Sequence, residues 1–247
     1  MADNRYVFID FDNTLSDQFE FNLQYVREVG ALLAPKYGGD AETWAQAATE
    51  MLEALEQDYL ARFAGNPLGG YCAWLETVHT RAAEMLFARM GLPVPPNAKE
   101  LARETQFNAL IGCNAAFSGA HEALMTLFEE GYRTQMASGQ ESEWLLAALM
   151  GAGVESFTES KFGPDLVDCA KEGPEFYERI FAEVGVQPEE TVVIDDHPDA
   201  LRWAMQTGAK AIQAKLSPER HVEDIPGVVA VMTDWSRLPG LLKQALG

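Results

Sequence analysis

Residues 6–15 read Tyr-Val-Phe-Ile-Asp-Phe-Asp-Asn-Thr-Leu, an apolar run that leads into two aspartates, Asp10 and Asp12, and then Thr14. The apolar run predicts a buried β-strand. Because side chains at positions i and i+2 of an extended chain point to the same side, both carboxylates can face one site just beyond the strand. Two like charges held so close repel each other, so such a pair is stabilised most easily by a bound cation or by a proton on one partner. Both arrangements suit chemistry better than structural stability.

The sequence after this strand, from about residue 17 to residue 111, is rich in helix formers and has apolar residues spaced three and four apart. Prolines and glycines interrupt the pattern at regular intervals and predict helix ends. We predict four successive helices, at residues 21–33 (ending before Pro35), 41–63, 70–90 and about 98–111. No convincing strand pattern separates them, so residues 17–111 are predicted to form an all-helical cap domain.

From Ser118 onward, helix and strand patterns alternate. Strands are predicted at 134–137, near Phe157, and at 191–194, 210–213 and 228–232, and helices at 120–130, 142–150, 174–184, 199–206 and 235–246. This alternation favours an α/β fold with a doubly wound, Rossmann-like parallel sheet and right-handed crossovers. The core domain would then consist of residues 1–16 and 112–247. In such sheets ligands bind beyond the carboxyl ends of the strands, where Asp10 and Asp12 are expected to lie.

The composition limits the partners of this chain. Its 247 residues include 18 basic and 38 acidic side chains, and the net charge of -20 disfavours binding to nucleic acids and to anionic membranes. A phosphate site in so acidic a chain needs local positive charge from a metal ion and a lysine. Three scattered cysteines indicate reduced thiols, and the absence of a signal peptide or a membrane-length apolar stretch predicts a soluble cytoplasmic protein. We expect a monomer or a homodimer.

The ends of the later predicted strands carry the groups that a phosphate site would need. Ser138 and Gly139 follow one strand, and a hydroxyl and backbone amides there can hold phosphate oxygens. Lys171 stands shortly before a Gly-Pro pair that begins a helix, and it can neutralise phosphoryl charge. Asp195 and Asp196 follow another strand and offer the carboxylate oxygens that Mg²⁺ prefers.

These four groups of residues, in this order and at these strand ends, resemble the four motifs of the haloacid dehalogenase (HAD) superfamily, whose members are mostly magnesium-dependent phosphohydrolases. The helical block between the first and second motifs resembles the C1 cap of that superfamily. The resemblance implies that Asp10 attacks phosphorus to form an aspartyl-phosphate and that Asp12 acts first as general acid and then as general base. It also implies a Mg²⁺ ion held by Asp10, the backbone carbonyl of Asp12 and Asp196, with Asp195 nearby. The phosphate-binding residues implied are Asn13, Thr14, Ser138, Gly139 and Lys171.

Two assignments stay open at the level of sequence. Lys161 precedes a Gly-Pro pair much as Lys171 does, and we favour Lys171 because a longer helical segment follows it. Asp199 can either join Asp196 at the metal or cap the helix that begins near Pro198.

The leading functional hypothesis is a magnesium-dependent phosphomonoesterase that acts on a small phosphorylated metabolite. A 2-haloacid dehalogenase is an alternative, but its reaction needs neither a metal nor an acid at the position of Asp12. A phosphomutase is a second alternative, because water is only one acceptor for an aspartyl-phosphate. A phosphate-accepting receiver module of a signalling pathway is a third, although a receiver lacks a long helical insertion after its first strand. The sequence does not identify the metabolite or the cap residues that select it.

Overall fold

A sheet of six parallel strands forms the centre of the protein, and the computed structural model describes residues 5–217 and 223–246. The strands lie side by side in the order β3-β2-β1-β4-β5-β6. Strand order therefore reverses between β1 and β4, which are neighbours in the sheet. This confirms the doubly wound α/β fold predicted from the sequence. The strands are β1 (Tyr6–Ile9), β2 (Arg133–Ala137), β3 (Lys161–Phe162), β4 (Thr191–Asp195), β5 (Lys210–Ala214) and β6 (Ala230–Met232).

Helices cover both faces of this sheet, which explains why its inner strands read as unbroken apolar runs. Val7 and Ile9 of β1 belong to a core on one face, and Phe8 belongs to a separate core on the other. The ring of Phe8 packs edge to face against Phe181, with 4.9 Å between ring centres. The covering helices are α5 (Ala120–Glu129), α6 (Ser142–Gly151), α7 (Pro164–Val167), α8 (Pro174–Val184), α9 (Pro198–Gln206) and α10 (Leu238–Leu246).

Four helices lie between β1 and the rest of the sheet in the chain, as predicted. Two of them begin at aspartates that cap the first turn: Asp17 accepts from the Glu20 backbone N–H at 3.0 Å, and Asp40 accepts from that of Thr43 at 2.9 Å. No helix in residues 5–217 and 223–246 is both long and apolar enough to cross a membrane. The helices of this insert are α1 (Gln18–Tyr37), α2 (Ala41–Phe63), α3 (Tyr71–Arg89) and α4 (Ala98–Ile111).

Two elements differ most from the sequence prediction. The first helix does not end before Pro35 but continues to Tyr37, where the Gly38 N–H still donates to the Ala34 carbonyl at 2.9 Å. A proline in the last turn removes only one hydrogen bond of the helix, so it is tolerated there. The strand predicted near Phe157 is also wrong, because residues 155–157 form a 3₁₀ turn and β3 begins only at Lys161.

Candidate active site

The carboxyl ends of β1 and β4 bring Asp10 and Asp195 to the same edge of the sheet. Asp195 is the last residue of β4, and Asp10 follows β1 directly. The Asp10 backbone N–H donates to the carbonyl of Ile194 at 2.9 Å and so continues the parallel ladder. This is the point at which strand order reverses, where α/β sheets bind their ligands.

A tight turn after β1 holds Asp12 on the same cavity as Asp10. The Phe11 carbonyl accepts from the backbone N–H groups of Leu15, at 2.9 Å, and Ser16, at 3.0 Å. Asn13 takes a φ of 55°, a left-handed conformation that asparagine adopts more readily than most residues. Asp10 and Asp12 both line the cavity beyond the strand ends, as the sequence predicted. The Oδ2 atom of Asp12 accepts a hydrogen bond from Gln140 Nε2 at 3.0 Å.

Lys171 joins the ends of β1, β2 and β4. Its Nζ atom donates to Asp10 Oδ1 and to Asp195 Oδ2, both at 2.7 Å, and to the Ala137 carbonyl at 2.9 Å. The rival Lys161 instead pairs with Glu155 Oε1 at 2.9 Å, away from these aspartates. The structure therefore brings Lys171 to the candidate site and leaves Lys161 outside it.

Burial and the neighbouring charges have opposing effects on the pKa values of Asp10 and Lys171. Burial raises the pKa of Asp10 well above its ordinary value, Lys171 opposes that rise, and the neighbouring aspartates, Asp195 first, add to it. Burial lowers the pKa of Lys171, but the charges of Asp10 and Asp195 outweigh that effect, so this pKa is raised well above its ordinary value. Lys171 is thus held as an ammonium, and further positive charge beside Asp10 would lower the raised pKa of that carboxyl and favour its ionised form.

Three buried carboxylates at this edge can hold a metal ion. Ligand oxygens of Asp10, Asp195 and Asp196 all lie within 4.8 Å of one another. Lys171 supplies the single lysine or arginine charge among the described residues that line the cavity, so these three carboxylates leave an excess of negative charge on hard oxygen atoms, which fits Mg²⁺. Asp195 is oriented by the His197 backbone N–H, which donates to its Oδ1 at 2.8 Å.

Asp199 lies on the same cavity but is not part of this carboxylate group. Its Oδ1 accepts from Arg202 Nη1 at 2.7 Å, and its side chain is largely exposed. Asp195 is therefore the partner that the structure places beside Asp196. Whether the Asp12 carbonyl joins them stays a prediction.

The residues predicted to bind phosphate are placed differently from one another. Asn13 and Gly139 line the cavity. Ser138 is fully buried, and its Oγ accepts the Gln140 backbone N–H at 3.3 Å. Thr14 is also fully buried, and its Oγ1 has no hydrogen-bond partner among the described residues. Phosphate binding by these four residues stays a prediction.

Sequence reasoning missed two side chains that support the aspartates. Gln140 holds Asp12, and the Tyr177 hydroxyl lies 3.4 Å from Asp195 Oδ2. Gln140 follows Ser138 by two residues, so its position near the site could have been inferred from the strand end. Tyr177 sits in the first turns of α8, where nothing in the local sequence distinguishes it from a core aromatic residue.

The cavity beyond the aspartates has a volume of about 890 Å³ and lies between the sheet edge and the helical insert. Its floor is polar and its walls are mostly apolar and aromatic. The wall residues come from all four insert helices as well as from the core, and include Tyr25, Val29, Met51, Leu55, Tyr59, Tyr71, Trp74, Val78, Leu86, Leu101, Trp144 and Trp203.

Comparison with known proteins identifies a family for most of this chain. The model of the haloacid dehalogenase-like hydrolases matches residues 5–202. Pyrophosphatase PpaX from Listeria welshimeri is 28% identical over 131 residues, which are 48% of this chain and 59% of that protein. This chain therefore spans only part of the relative's length.

Two solved structures share the fold along nearly the whole chain. A defluorinating L-2-haloacid dehalogenase has a TM-score of 0.67 at 18% identity, with 97% of this chain and 95% of that chain covered. A HAD family hydrolase from Deinococcus radiodurans, with bound phosphate and sodium, has a TM-score of 0.56 at 23% identity and coverages of 99% and 97%.

Proposed function

The chain belongs to the haloacid dehalogenase-like hydrolases, and from this premise we propose that it is a magnesium-dependent phosphomonoesterase that acts on a small phosphorylated metabolite. The observation that carries the proposal is the pair of carboxylates on the cavity floor, Asp10 beside Lys171 and Asp12 beside Gln140. Such a pair supplies a nucleophile and a separate acid, which the hydrolysis of a phosphate ester needs.

In the first step, an Asp10 carboxylate oxygen attacks phosphorus, and the bond from phosphorus to the ester oxygen breaks. The proton of Asp12 passes to that oxygen, so the product leaves as a neutral alcohol. In the second step Asp12 takes a proton from water as the water attacks phosphorus, which releases inorganic phosphate and restores Asp10. Gln140 keeps Asp12 on the cavity floor in both steps.

Lys171 and a metal ion have complementary tasks in this scheme. Mg²⁺ held by Asp10, Asp195 and Asp196 would supply positive charge that favours the ionised form of Asp10 and screens it from the phosphate. Lys171 positions the Asp10 carboxylate at 2.7 Å and adds a positive charge beside the phosphoryl oxygens.

Displacement of halide from carbon is the main competing reaction, since structures with that activity share the fold. That reaction requires no proton donor at the position of Asp12 and no group of metal-binding carboxylates, so both features support the phosphatase. The name of PpaX, a pyrophosphatase, also supports chemistry at phosphorus.

Hydrolysis of p-nitrophenyl phosphate tests the proposal. We expect turnover with Mg²⁺, loss of turnover with a chelator, and loss of turnover in Asp10→Asn. Asp40→Asn is a matched control, because Asp40 is an exposed helix cap and asparagine caps equally well. Turnover that survives Asp10→Asn, or release of chloride from 2-chloropropionate without metal, would overturn the proposal. Analysis of products with a sugar phosphate separates a hydrolase from a mutase.

Metal binding has a separate readout in thermal unfolding. At a hundredfold excess over its Kd, Mg²⁺ stabilises a single-site protein by about 2.7 kcal/mol, which corresponds to roughly 5–11 °C for a chain of this size. We expect such a shift in the wild-type protein and none in Asp196→Asn. An equal shift in both proteins would place the metal elsewhere.

We also propose that residues 17–111 form a C1-type cap domain on a core of residues 1–16 and 112–247, and that its closure excludes water while Asp10 reacts. The cavity supports this division, because its floor belongs to the core and most of its walls belong to the insert. Small-angle scattering with and without Mg²⁺ and orthovanadate tests closure. An unchanged radius of gyration would contradict it.

A further inference from the structure

The cavity is larger than a phosphate group requires. Its volume of about 890 Å³ is in the range of pockets that enclose ligands of several rings or a long chain. Phosphate itself would occupy only the polar end beside Lys171. The remaining space is walled by aromatic and aliphatic side chains, so it suits a leaving group with an apolar, ring-sized body.

The charges on the cavity walls are strongly one-sided. Lys171 is the single lysine or arginine among the described residues that line it. A leaving group with a carboxylate or a second phosphate would find no described lysine or arginine on the walls beyond the phosphate end, whereas a cationic group would be attracted. The acidic residues that line the cavity are Asp10, Asp12, Glu56, Glu141, Glu172, Asp195, Asp196 and Asp199.

Glu141 is the acidic residue best placed to meet such a group. It is only 8% exposed, yet it lines the cavity where the start of α6 meets α3 and α4. Its Oε1 accepts from Gln106 Nε2 and lies 3.2 Å from His79 Nε2. Both contacts are made to Oε1, and Oε2 receives no hydrogen bond within residues 5–217 and 223–246. Oε2 is not among the buried side-chain oxygens that lack a hydrogen-bond partner, so it is accessible and offers an acceptor to a ligand in the cavity that Glu141 lines.

Two tyrosines share the cavity with the carboxylate of Glu141. Tyr25 and Tyr71 line the same cavity, and the charge of Glu141 adds to the effect of burial in raising the pKa of both hydroxyls. An ammonium group bound at Glu141 would share the cavity with both rings, and aromatic rings also favour cations.

We propose that the substrate is the phosphate ester of an alcohol with an apolar body and a primary amine, and that Glu141 Oε2 binds the ammonium group. This inference rests on the phosphatase activity proposed above. Glu141 acts here as a specificity-determining residue and takes no part in the transfer of the phosphoryl group.

Glu141 could instead serve only to join the core to the insert through His79 and Gln106. That role predicts a different result, because weakening the junction would lower the turnover of every substrate by a similar factor. If Glu141 recognises an amine, its replacement lowers kcat/KM for amine-bearing substrates alone, and it does so by raising KM.

The test compares three phenyl phosphates that differ only in the para substituent: 2-aminoethyl, ethyl and carboxymethyl. We expect kcat/KM to be about tenfold higher for the aminoethyl ester than for the ethyl ester, and lowest for the carboxymethyl ester. In Glu141→Gln the aminoethyl advantage should shrink to about threefold or less, with KM raised and kcat little changed. Glu143→Gln is the matched control, since Glu143 lies two residues further on in the first turn of α6, but its side chain is 42% exposed and pairs with Arg103 at 2.7 Å.

Binding of the phosphate-free phenols separates this inference from the proposed activity. Tryptophans line the cavity, so quenching of their fluorescence can report binding of 4-(2-aminoethyl)phenol and 4-hydroxyphenylacetate. Tighter binding of the amine, weakened by Glu141→Gln, without hydrolysis of any ester would refute the phosphatase and keep the recognition site. Hydrolysis with equal use of all three esters, or a uniform loss in Glu141→Gln, would overturn the recognition site alone.

Discussion

Replacement of Lys171 by methionine should damage both activity and stability. Lys171 is 8% exposed on its side chain and forms two ion pairs of 2.7 Å, with Asp10 and Asp195. Removing one partner of a buried ion pair costs about 3–5 kcal/mol, because the other charge stays buried without compensation. For a chain of this size we expect the melting temperature to fall by roughly 6–20 °C. Hydrolysis of p-nitrophenyl phosphate should be lost as well, since nothing else among the described residues holds Asp10 in the same way.

The pH dependence of this loss tests its electrostatic origin. Without Lys171 the pKa of Asp10 loses the opposing charge that lowers it, so the carboxyl can escape the penalty by taking up a proton at low pH. The loss in melting temperature measured by calorimetry in metal-free buffer should therefore be larger at pH 8 than at pH 5. Adding Asp195→Asn to Lys171→Met removes one uncompensated charge and should recover part of the stability.

Lys161→Met is the matched control for this experiment. Lys161 is also partly buried in an ion pair, with Glu155, but that carboxylate is 39% exposed on its side chain. We expect a loss of less than about 1 kcal/mol and unchanged turnover. Equal losses in the two methionine variants, or intact hydrolysis in Lys171→Met, would refute the reasoning.

Three further predictions follow from the same site. Asp12→Asn should slow the turnover of p-nitrophenyl phosphate about 10²- to 10⁴-fold and let a phosphorylated enzyme accumulate, which mass spectrometry after rapid quenching would locate on Asp10; an unmodified protein would contradict this. Burial raises the folded-state pKa of Asp10 above 3.8. The protonated Asp10 therefore contributes its full share to the free energy of unfolding below pH 3.8, and this share is lost as the pH rises through the folded-state pKa. Metal-free Asp10→Asn should thus melt higher than the wild type at pH 8 but not at pH 4, and a lower melting temperature at pH 8 would refute it. Gly163→Ala should lower the free energy of unfolding in denaturant by about 1–3 kcal/mol and also reduce kcat, because a Cβ atom there would lie 2.2 Å from the Gln140 carbonyl oxygen. Gly240→Ala should do neither, since there is open space around Gly240.

Much of the fold could be predicted because its signals are local. The apolar run of β1, the proline and glycine breaks of the insert and the strand and helix alternation after Ser118 each depend on neighbouring residues. The sequence predicts the second helix with the bounds that the structure shows, because the Gly38-Gly39 turn precedes it and the turn Gly65-Asn-Pro67 follows it. The strand β3 was misplaced because it has only two residues, too few for a pattern, and pairs only with β2.

The candidate site was predictable as a set of residues but not as a geometry. Strand ends indicated Asp10, Asp195 and Asp196, and parallel strands bring their ends together. The contacts of Lys171 and Tyr177 depend on how α8 and the loop between α7 and α8 are placed against the sheet. No short stretch of sequence specifies that placement. The same holds for the contacts of Glu141, because His79 and Gln106 come from helices 62 and 35 residues away in the chain.

The central place of β1 has a consequence for biosynthesis. This strand leaves the ribosome well before its two neighbours in the sheet, which begin at Arg133 and Thr191. At translation rates of roughly 5–20 residues per second, about 10–40 s pass between the synthesis of Tyr6 and that of its partner Thr191. During that interval the apolar strand β1 lacks its partner β4. The nascent chain is therefore most open to aggregation and to chaperone binding before the second half of the sheet has emerged.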